Sequence, residues 1–430
     1  MAPEYARLPT SNSSSSLTST TIASSSSKKP STLCIIFPLL ALTALVSSVL
    51  TAYSPSLVAH LAKQQQQQQP QSTSSPIPPY ATSVSATTSS QPSWKRIASD
   101  TNWRNSAAYR TAYASCPLLD TQDKCEQARY DRLLAWEWTT NNANDDGLLR
   151  DDDDLLAPPG GRTRRRRPRD VVEKCLAGRT LGFSGDSLSR QSFHSLACLL
   201  HADGATLSIS KSGSLDVVRA SFVNTSSAPV TLLWTGDSLN PYLLAYTGSR
   251  PEPTINYTTL HPTLTELISA NLDYLVLNTG LWVDASSFRS RVQDFYQAYT
   301  QIIRSALALL LPQLESQHAK LIFRTSPVRH FQNGDYSSDG SCPDLVPNFN
   351  ASAITYFGGF AETLQNEKLK EILAATPGVS MLDAAEIAFA RADAHRSETD
   401  CSHYCLPGVP DFWNEVLLQS IWDTCEKSDE

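Results

Sequence analysis

The sequence has no surplus of positive charge: 35 lysines and arginines face 42 acids over 430 residues, a formal net charge of -7. Nothing in that balance calls for nucleic acid as a partner. Zinc-finger spacing is missing as well. Of the nine cysteines, Cys401 and Cys405 form a lone close pair with no second pair at a zinc-site interval, and no nucleotide-binding or metal motif occurs elsewhere. Cys34 falls in an apolar segment. Cys116, Cys125, Cys175, Cys198, Cys342, Cys401, Cys405 and Cys425 remain as an even set, which points to disulfides in an oxidising lumen.

Apolar sequence of membrane-spanning length is read in one place, Leu33 to Ala52, mostly apolar and free of charge. About 20 residues of helix reach roughly 30 Å, one hydrocarbon thickness. Residues 1–29, rich in Ser and Thr and closing on Lys28-Lys29, read as a disordered cytosolic tail, and 30–53 as a signal-anchor. The lysine pair places its own side in the cytosol, giving a type II protein with everything downstream in the lumen. A cleaved signal peptide is the alternative, and the long segment ahead of the apolar core argues against it. Residues 54–93, a glutamine run followed by Ser, Thr and Pro, cannot form a core and read as an extended stem.

Ordered sequence begins near Trp94, and 94–140 reads as a small N-terminal lobe. Residues 141–169 form a charged insertion in which Asp145, Asp146 and Asp151 to Asp154 precede Arg162, Arg164 to Arg167 and Arg169. The blocks cancel, so a solvated loop is the plain reading; binding of an acidic polymer and cleavage by a dibasic-specific Golgi protease are the alternatives. Over 170–430, strand-like runs at 180–183, 230–234, 274–278, 320–324 and 379–382 alternate with helical stretches at 190–201, 288–311 and 361–373. Such alternation predicts an α/β fold with a parallel sheet covered by helices on both faces, and a site at the C-terminal ends of the strands. Sequons at Asn224, Asn256 and Asn350 fall in the predicted lumen.

The chemistry concentrates on Gly185-Asp186-Ser187-Leu188-Ser189-Arg190, which follows the first of those strands and opens the first helix. There the N-H groups of a helix N-terminus are available to a developing oxyanion. Serine needs a base, and the base an orienting partner. Asp400-Cys401-Ser402-His403 offers both: three residues apart on one face of a turn, the carboxylate can hold one imidazole nitrogen while the other faces the serine. A second copy, Gly236-Asp237-Ser238-Leu239, also follows a strand-like run, and nothing downstream marks it out.

Gly185 to Arg190, Ser195-Leu196-Ala197-Cys198, Asn278-Thr279-Gly280-Leu281-Trp282, Arg324-Thr325-Ser326-Pro327-Val328-Arg329-His330 and the block from Asp400 to Glu415 together resemble the trichome birefringence-like polysaccharide O-acetyltransferases. These are a branch of the PC-esterase group within the SGNH hydrolases. The likeness runs from Cys116 to Leu418, leaving out the charged insertion. It implies a three-layer α/β/α fold of SGNH type, with a central parallel sheet and a small disulfide-linked N-terminal lobe. It also implies Ser187 as nucleophile, His403 as base and Asp400 as orienter, with the oxyanion hole formed by the Ser187 N-H and the Asn278 side chain. Asp186 stabilises the turn. Arg190 stands between a structural role and contact with the acceptor. Trp282 and Arg324 are further acceptor or structural candidates, while His330 and His395 read as architectural. Leu281 replaces the family's usual histidine, which puts acceptor contacts near Trp282 in doubt.

The resemblance further implies disulfides Cys116-Cys198, Cys125-Cys405 and Cys342-Cys401. One family pair has no counterpart here; Cys175 and Cys425 are left over and are predicted to pair with each other. The implied reaction is acetyl transfer through an acetyl-serine to hydroxyls of a polysaccharide or glycan in the Golgi lumen. No cofactor or metal is bound, and acetyl-CoA or another acetyl carrier serves as co-substrate. A carbohydrate acetylesterase with the same triad and a non-catalytic polysaccharide-binding protein are the alternatives.

Overall fold

The computed structural model describes residues 93–96, 107–125, 130, 133, 135–139, 166–223, 225, 227–235, 242–248, 253–283, 292–332, 340–342, 347 and 359–428. The tail, the apolar run at 33–52, nearly all of the stem, most of the charged insertion, the second Gly-Asp-Ser copy, Asn224 and Asn350 lie outside them. No helix among the described residues is long and apolar enough to cross a membrane.

A seven-stranded sheet forms the middle layer. Strand β3 (Thr180–Ser184) lies between β6 (Val230–Trp234) and β9 (Tyr274–Asn278), and β10 (Lys320–Arg324) and β11 (Val379–Leu382) continue the sheet beyond β9, all in parallel. At the other edge β4 (Ala205–Ser212) and β5 (Leu215–Phe222) form a hairpin that joins β6 antiparallel. The sheet is therefore mixed, where the strand-helix alternation predicts a parallel one. The added hairpin is half-solvated: the second half of β5 alternates buried Val218, Ala220 and Phe222 with exposed Arg219 and Ser221, as an antiparallel pair with one wet face does.

The parallel strands β3, β6, β9 and β10 are largely buried on both faces, and their side chains divide by period two. Leu181, Phe183, Leu232, Trp234, Val276 and Ile322 pack on one side with α2 (Pro168–Val171), α3 (Ser187–Ala202), α7 (Ala384–Phe389) and α8 (Val409–Ser428). Leu233, Leu275, Leu277, Leu321 and Phe323 pack on the other with α4 (Pro262–Ser269), α5 (Val292–Ser316) and α6 (Gly359–Ala374). This is the predicted three-layer arrangement. Helix α5 passes through Pro312 and runs on to Ser316, beyond the end expected at 311. Leu310 and Leu314 are buried on the same face either side of it, and that contact holds the last turn against the cost of a missing N-H.

The N-terminal lobe consists of α1 (Ala107–Ala114) and a two-stranded ribbon, β1 (Ser93–Arg96) with β2 (Trp136–Thr139). Tyr109, Tyr113, Cys116 and Leu119 bury against Cys198 and Leu199 of α3 and against Leu406. Bonds Cys116-Cys198, Cys125-Cys405, Cys175-Cys425 and Cys342-Cys401 are all formed, as the sequence predicts. A further two-stranded ribbon, β7 (Leu244–Thr247) and β8 (Thr254–Leu260), follows β6.

Candidate active site

Ser187 stands at the first turn of α3, directly beyond β3. Gly185 makes the connection: its φ of +142° is open to glycine alone, and a Cβ there would sit 2.4 Å from the Asn278 carbonyl oxygen. Asp186 is the N-cap of α3. Its carboxylate accepts the Leu188 N-H at 3.0 Å and the Leu281 N-H at 3.3 Å, so it fixes the turn and ties it to the loop after β9. That is the stabilising role read from the sequence.

The loop bearing His403 arrives from far along the chain and is bolted to the same helix. Gln191, one turn after Ser187, accepts the Tyr404 N-H at 3.1 Å and donates to the Tyr404 carbonyl at 2.9 Å. The cystines at Cys401 and Cys405 flank it on either side. His403 Nε2 consequently lies 2.7 Å from Ser187 Oγ, and Nδ1 lies 3.0 Å from each oxygen of Asp400. With Nδ1-H donating to the carboxylate, the Nε2 lone pair accepts the serine hydroxyl. Asp400 also accepts the main-chain N-H groups of Ser402 and His403 and the Nε-H of Arg396. Burial pushes its carboxyl up, but the hydrogen bonds from His403 and the charges of His403 and Arg396 outweigh that and hold it well below the ordinary carboxylate range. Asp400 is thus ionised beside the imidazole.

Asn278 ends β9 next to Gly185. Its Oδ1 accepts the Ser189 hydroxyl at 3.2 Å, and its fully buried Nδ2 has no hydrogen-bond partner among the described residues. A buried donor left over costs about 1–3 kcal/mol unless a guest supplies the acceptor, which fits the oxyanion-hole assignment. Arg190 is partly buried, and its Nε has no hydrogen-bond partner among the described residues. Trp282 is half-buried, and Leu281 packs against the core below the sheet's α3 face.

Arg324 ends β10 and is fully buried. Its Nη2 donates to Ser189 Oγ at 3.4 Å and lies 4.0 Å from Asp186, and the guanidinium sits 4.9 Å over Trp413. Burial lowers it to about 10 despite the pull of Asp186 and Tyr404. It braces the serine turn from beneath. His330 Nδ1 is 2.6 Å from His395 Nε2, and the His395 Nδ1-H donates to the His403 carbonyl at 2.9 Å. Both are fully buried behind the turn, so they support His403 through its backbone and do not face Ser187.

Sequence reading missed Gln191, Arg396 and Asp123. Spacing held a signal for the first alone: Gln191 falls four residues after Ser187 on α3, one helical turn away, whereas Arg396 and Asp400 lie in a non-helical loop.

Matched against known families, residues 168–420 fit the PC-Esterase family, the GDSL/SGNH-like acyl-esterase family found in Pmr5 and Cas1p. The chain belongs to the PC-esterase family. The match contains every residue of the Ser187, His403, Asp400 and Asn278 cluster. Curated PC-esterase relatives include the protein trichome birefringence-like 14 of Arabidopsis thaliana, 26% identical over 288 residues that cover 57% of this chain and 70% of that one. Xyloglucan O-acetyltransferase 1 of Populus trichocarpa is 23% identical over 311 residues, covering 59% and 68%. The family description is that of acyl-esterases, and the Populus trichocarpa relative is by name an O-acetyltransferase of xyloglucan.

Proposed function

We propose that the chain is an O-acetyltransferase that moves an acetyl group onto hydroxyls of a polysaccharide or glycan through an acetyl-Ser187 intermediate. The observation that carries this is the Ser187-His403-Asp400 hydrogen-bond chain inside a PC-esterase domain. His403 takes the Ser187 proton as Oγ attacks the carbonyl carbon of the acetyl donor. The Asn278 amide and the α3 N-terminus hold the tetrahedral oxyanion. The donor's leaving group departs with the proton from His403. An acceptor hydroxyl then gives its proton to His403 and attacks the acetyl carbon, and Ser187 leaves as the hydroxyl. Acetyl-CoA or another acetyl carrier supplies the acyl group.

The apolar run at 33–52, the stem behind it and the four disulfides support a type II Golgi protein with its catalytic domain in the lumen. Asn256, exposed on β8, is the described sequon open to glycosylation there.

The test incubates residues 94–430 with acetyl-CoA and a panel of deacetylated glycans that includes xyloglucan, beside Ser187→Ala. Acetylated glycan made by the parent and lost, by about 10³-fold or more, in the variant supports the proposal. Acetate released from an acetylated polymer without transfer makes it an acetylesterase. Glycan retention with neither reaction makes it a binding protein. Loss of activity in Ser238→Ala but not in Ser187→Ala removes Ser187 as the nucleophile.

A further inference from the structure

Asp123 is a lobe residue lodged 2% exposed against the catalytic domain, and its carboxylate accepts two side-chain hydrogen bonds with an imidazole nearby. Gln191 Nε2 donates to Oδ1 at 2.8 Å, Arg396 Nη1 donates to the same oxygen at 3.3 Å, and His194 Nδ1 lies 3.9 Å from Oδ2. The Asp123 carbonyl oxygen also accepts the Leu406 N-H at 2.8 Å. Two residues on, Cys125 is bonded to Cys405. One end of the Arg396 guanidinium therefore belongs to the lobe. Its other end donates Nε-H to Asp400 Oδ2 at 2.5 Å, and the Arg396 main-chain N-H donates to the His403 carbonyl at 3.2 Å.

A carboxylate that accepts both an imidazole and a guanidinium is held in one rotamer by two directional, charge-assisted bonds. Without Arg396, Oδ1 of Asp400 still accepts the Ser402 and His403 N-H groups, but Oδ2 loses its charge-assisted partner and keeps only its share of His403 Nδ1, so the carboxylate is held from one side alone. We propose that Arg396, anchored by Asp123, is a positioning residue for the Asp400-His403 pair, so that docking of the N-terminal lobe completes the catalytic site. Neither residue touches substrate. The lobe acts on the chemistry through one chain, Asp123 to Arg396 to Asp400 to His403 to Ser187, with Gln191 joining its first link to the helix that carries the serine.

This rests on Ser187 being the acylated residue, and the test separates the two. The full chain is acylated with p-nitrophenyl acetate, and the release of p-nitrophenol is followed in the parent, Ser187→Ala, Arg396→Gln, Arg396→Lys, Asp400→Asn and the double variant Arg396→Gln with Asp400→Asn. A Ser187→Ala variant as fast as the parent overturns the functional reading itself. With that variant inactive, Arg396→Gln is expected to slow acylation about 10- to 100-fold at saturating ester with KM little changed, the scale of one charged hydrogen bond. Arg396→Lys recovers part of the loss, since an ammonium reaches one of the two carboxylates. In the Asp400→Asn background the Arg396→Gln substitution is expected to cost less than about 3-fold, because the group it positions is gone. A residue serving only stability would slow both backgrounds alike. Equal losses in the two backgrounds, or Arg396→Gln within about 2-fold of the parent, overturn the proposal. Should Arg396→Gln fail to fold, the same cycle run with Arg396→Lys decides it on the same criterion.

Discussion

Asn278 and His330 are both buried polar side chains in family-matched blocks, and the structure assigns them opposite relations to Ser187. Asn278 presents an unsatisfied Nδ2 beside the serine turn, so Asn278→Ala is expected to lower acetyl transfer about 100-fold through kcat, with KM little affected. Unchanged kcat would remove it from the oxyanion hole. His330 is spent on structure, and burial pushes its imidazole down to about 4. The native state keeps it neutral while the unfolded chain takes up a proton near pH 6.5. Stability is therefore whole above that value and is lost as pH falls toward about 4, by about 3 kcal/mol from this group. His395, lowered by burial and by His330, adds in the same direction. Urea unfolding of the parent at about pH 7.5 and about pH 4.5 should show that loss, and His330→Gln should show clearly less of it. An equal drop in both proteins would mean the acid sensitivity lies elsewhere.

At the scale of elements, the strand-turn-helix unit of β3, Gly185-Asp186 and α3 decides where the chemistry can occur. Gly185→Ala meets a forbidden φ and the Asn278 carbonyl at once. It is expected to cost about 2–4 kcal/mol of stability and to abolish acylation of Ser187, read as a shift in the urea midpoint together with the p-nitrophenyl acetate rate. A variant with parent stability would show that the turn relaxes. This unit was legible in the sequence because its parts are local: a buried apolar run, a glycine, a capping acid and a helical stretch stand in order over residues 180–202. The Asp400-His403 turn was legible for the same reason, and so were the parallel strands, whose buried runs contrast with the helices between them. The β4–β5 hairpin was not, since Ser208, Ser210, Lys211 and Ser212 leave β4 largely exposed and blur its apolar alternation. Nor was the Asp123-Arg396 link, which joins residues 273 positions apart with no motif on either side. Family resemblance named the cystines, but what they hold in place became visible only when the lobe was seen lying on α3.

For the whole molecule, the question is why a small lobe should be cross-linked to the catalytic domain through the loop that carries its base. Cys116-Cys198 fastens α1 to α3, and Cys125-Cys405 fastens the end of the same lobe segment two residues beyond His403. Between the two cystines lies Asp123. Around the second, Tyr130 accepts the Cys125 N-H at 2.8 Å and donates to the Leu406 carbonyl at 2.6 Å, so the bond sits in a hydrogen-bonded frame. The cystine spans 280 residues of sequence, a long loop whose closure removes much of the unfolded chain's freedom, and deleting such a bond typically costs about 2–5 kcal/mol. The loss should be uneven, because Cys116-Cys198 still holds α1 while the segment around Asp123 is tethered at one end only. The paired variant Cys125→Ala with Cys405→Ala is thus expected to raise amide hydrogen exchange at 121–125 and 403–406 and to leave β3, β9 and β10 protected. Acylation by p-nitrophenyl acetate should fall with it, and adding Arg396→Gln should cost less than about 3-fold more, since both changes cut the same chain. Exchange rising evenly through the central sheet would make the cystine a global staple, and full additivity with Arg396→Gln would separate lobe docking from the placement of Asp400.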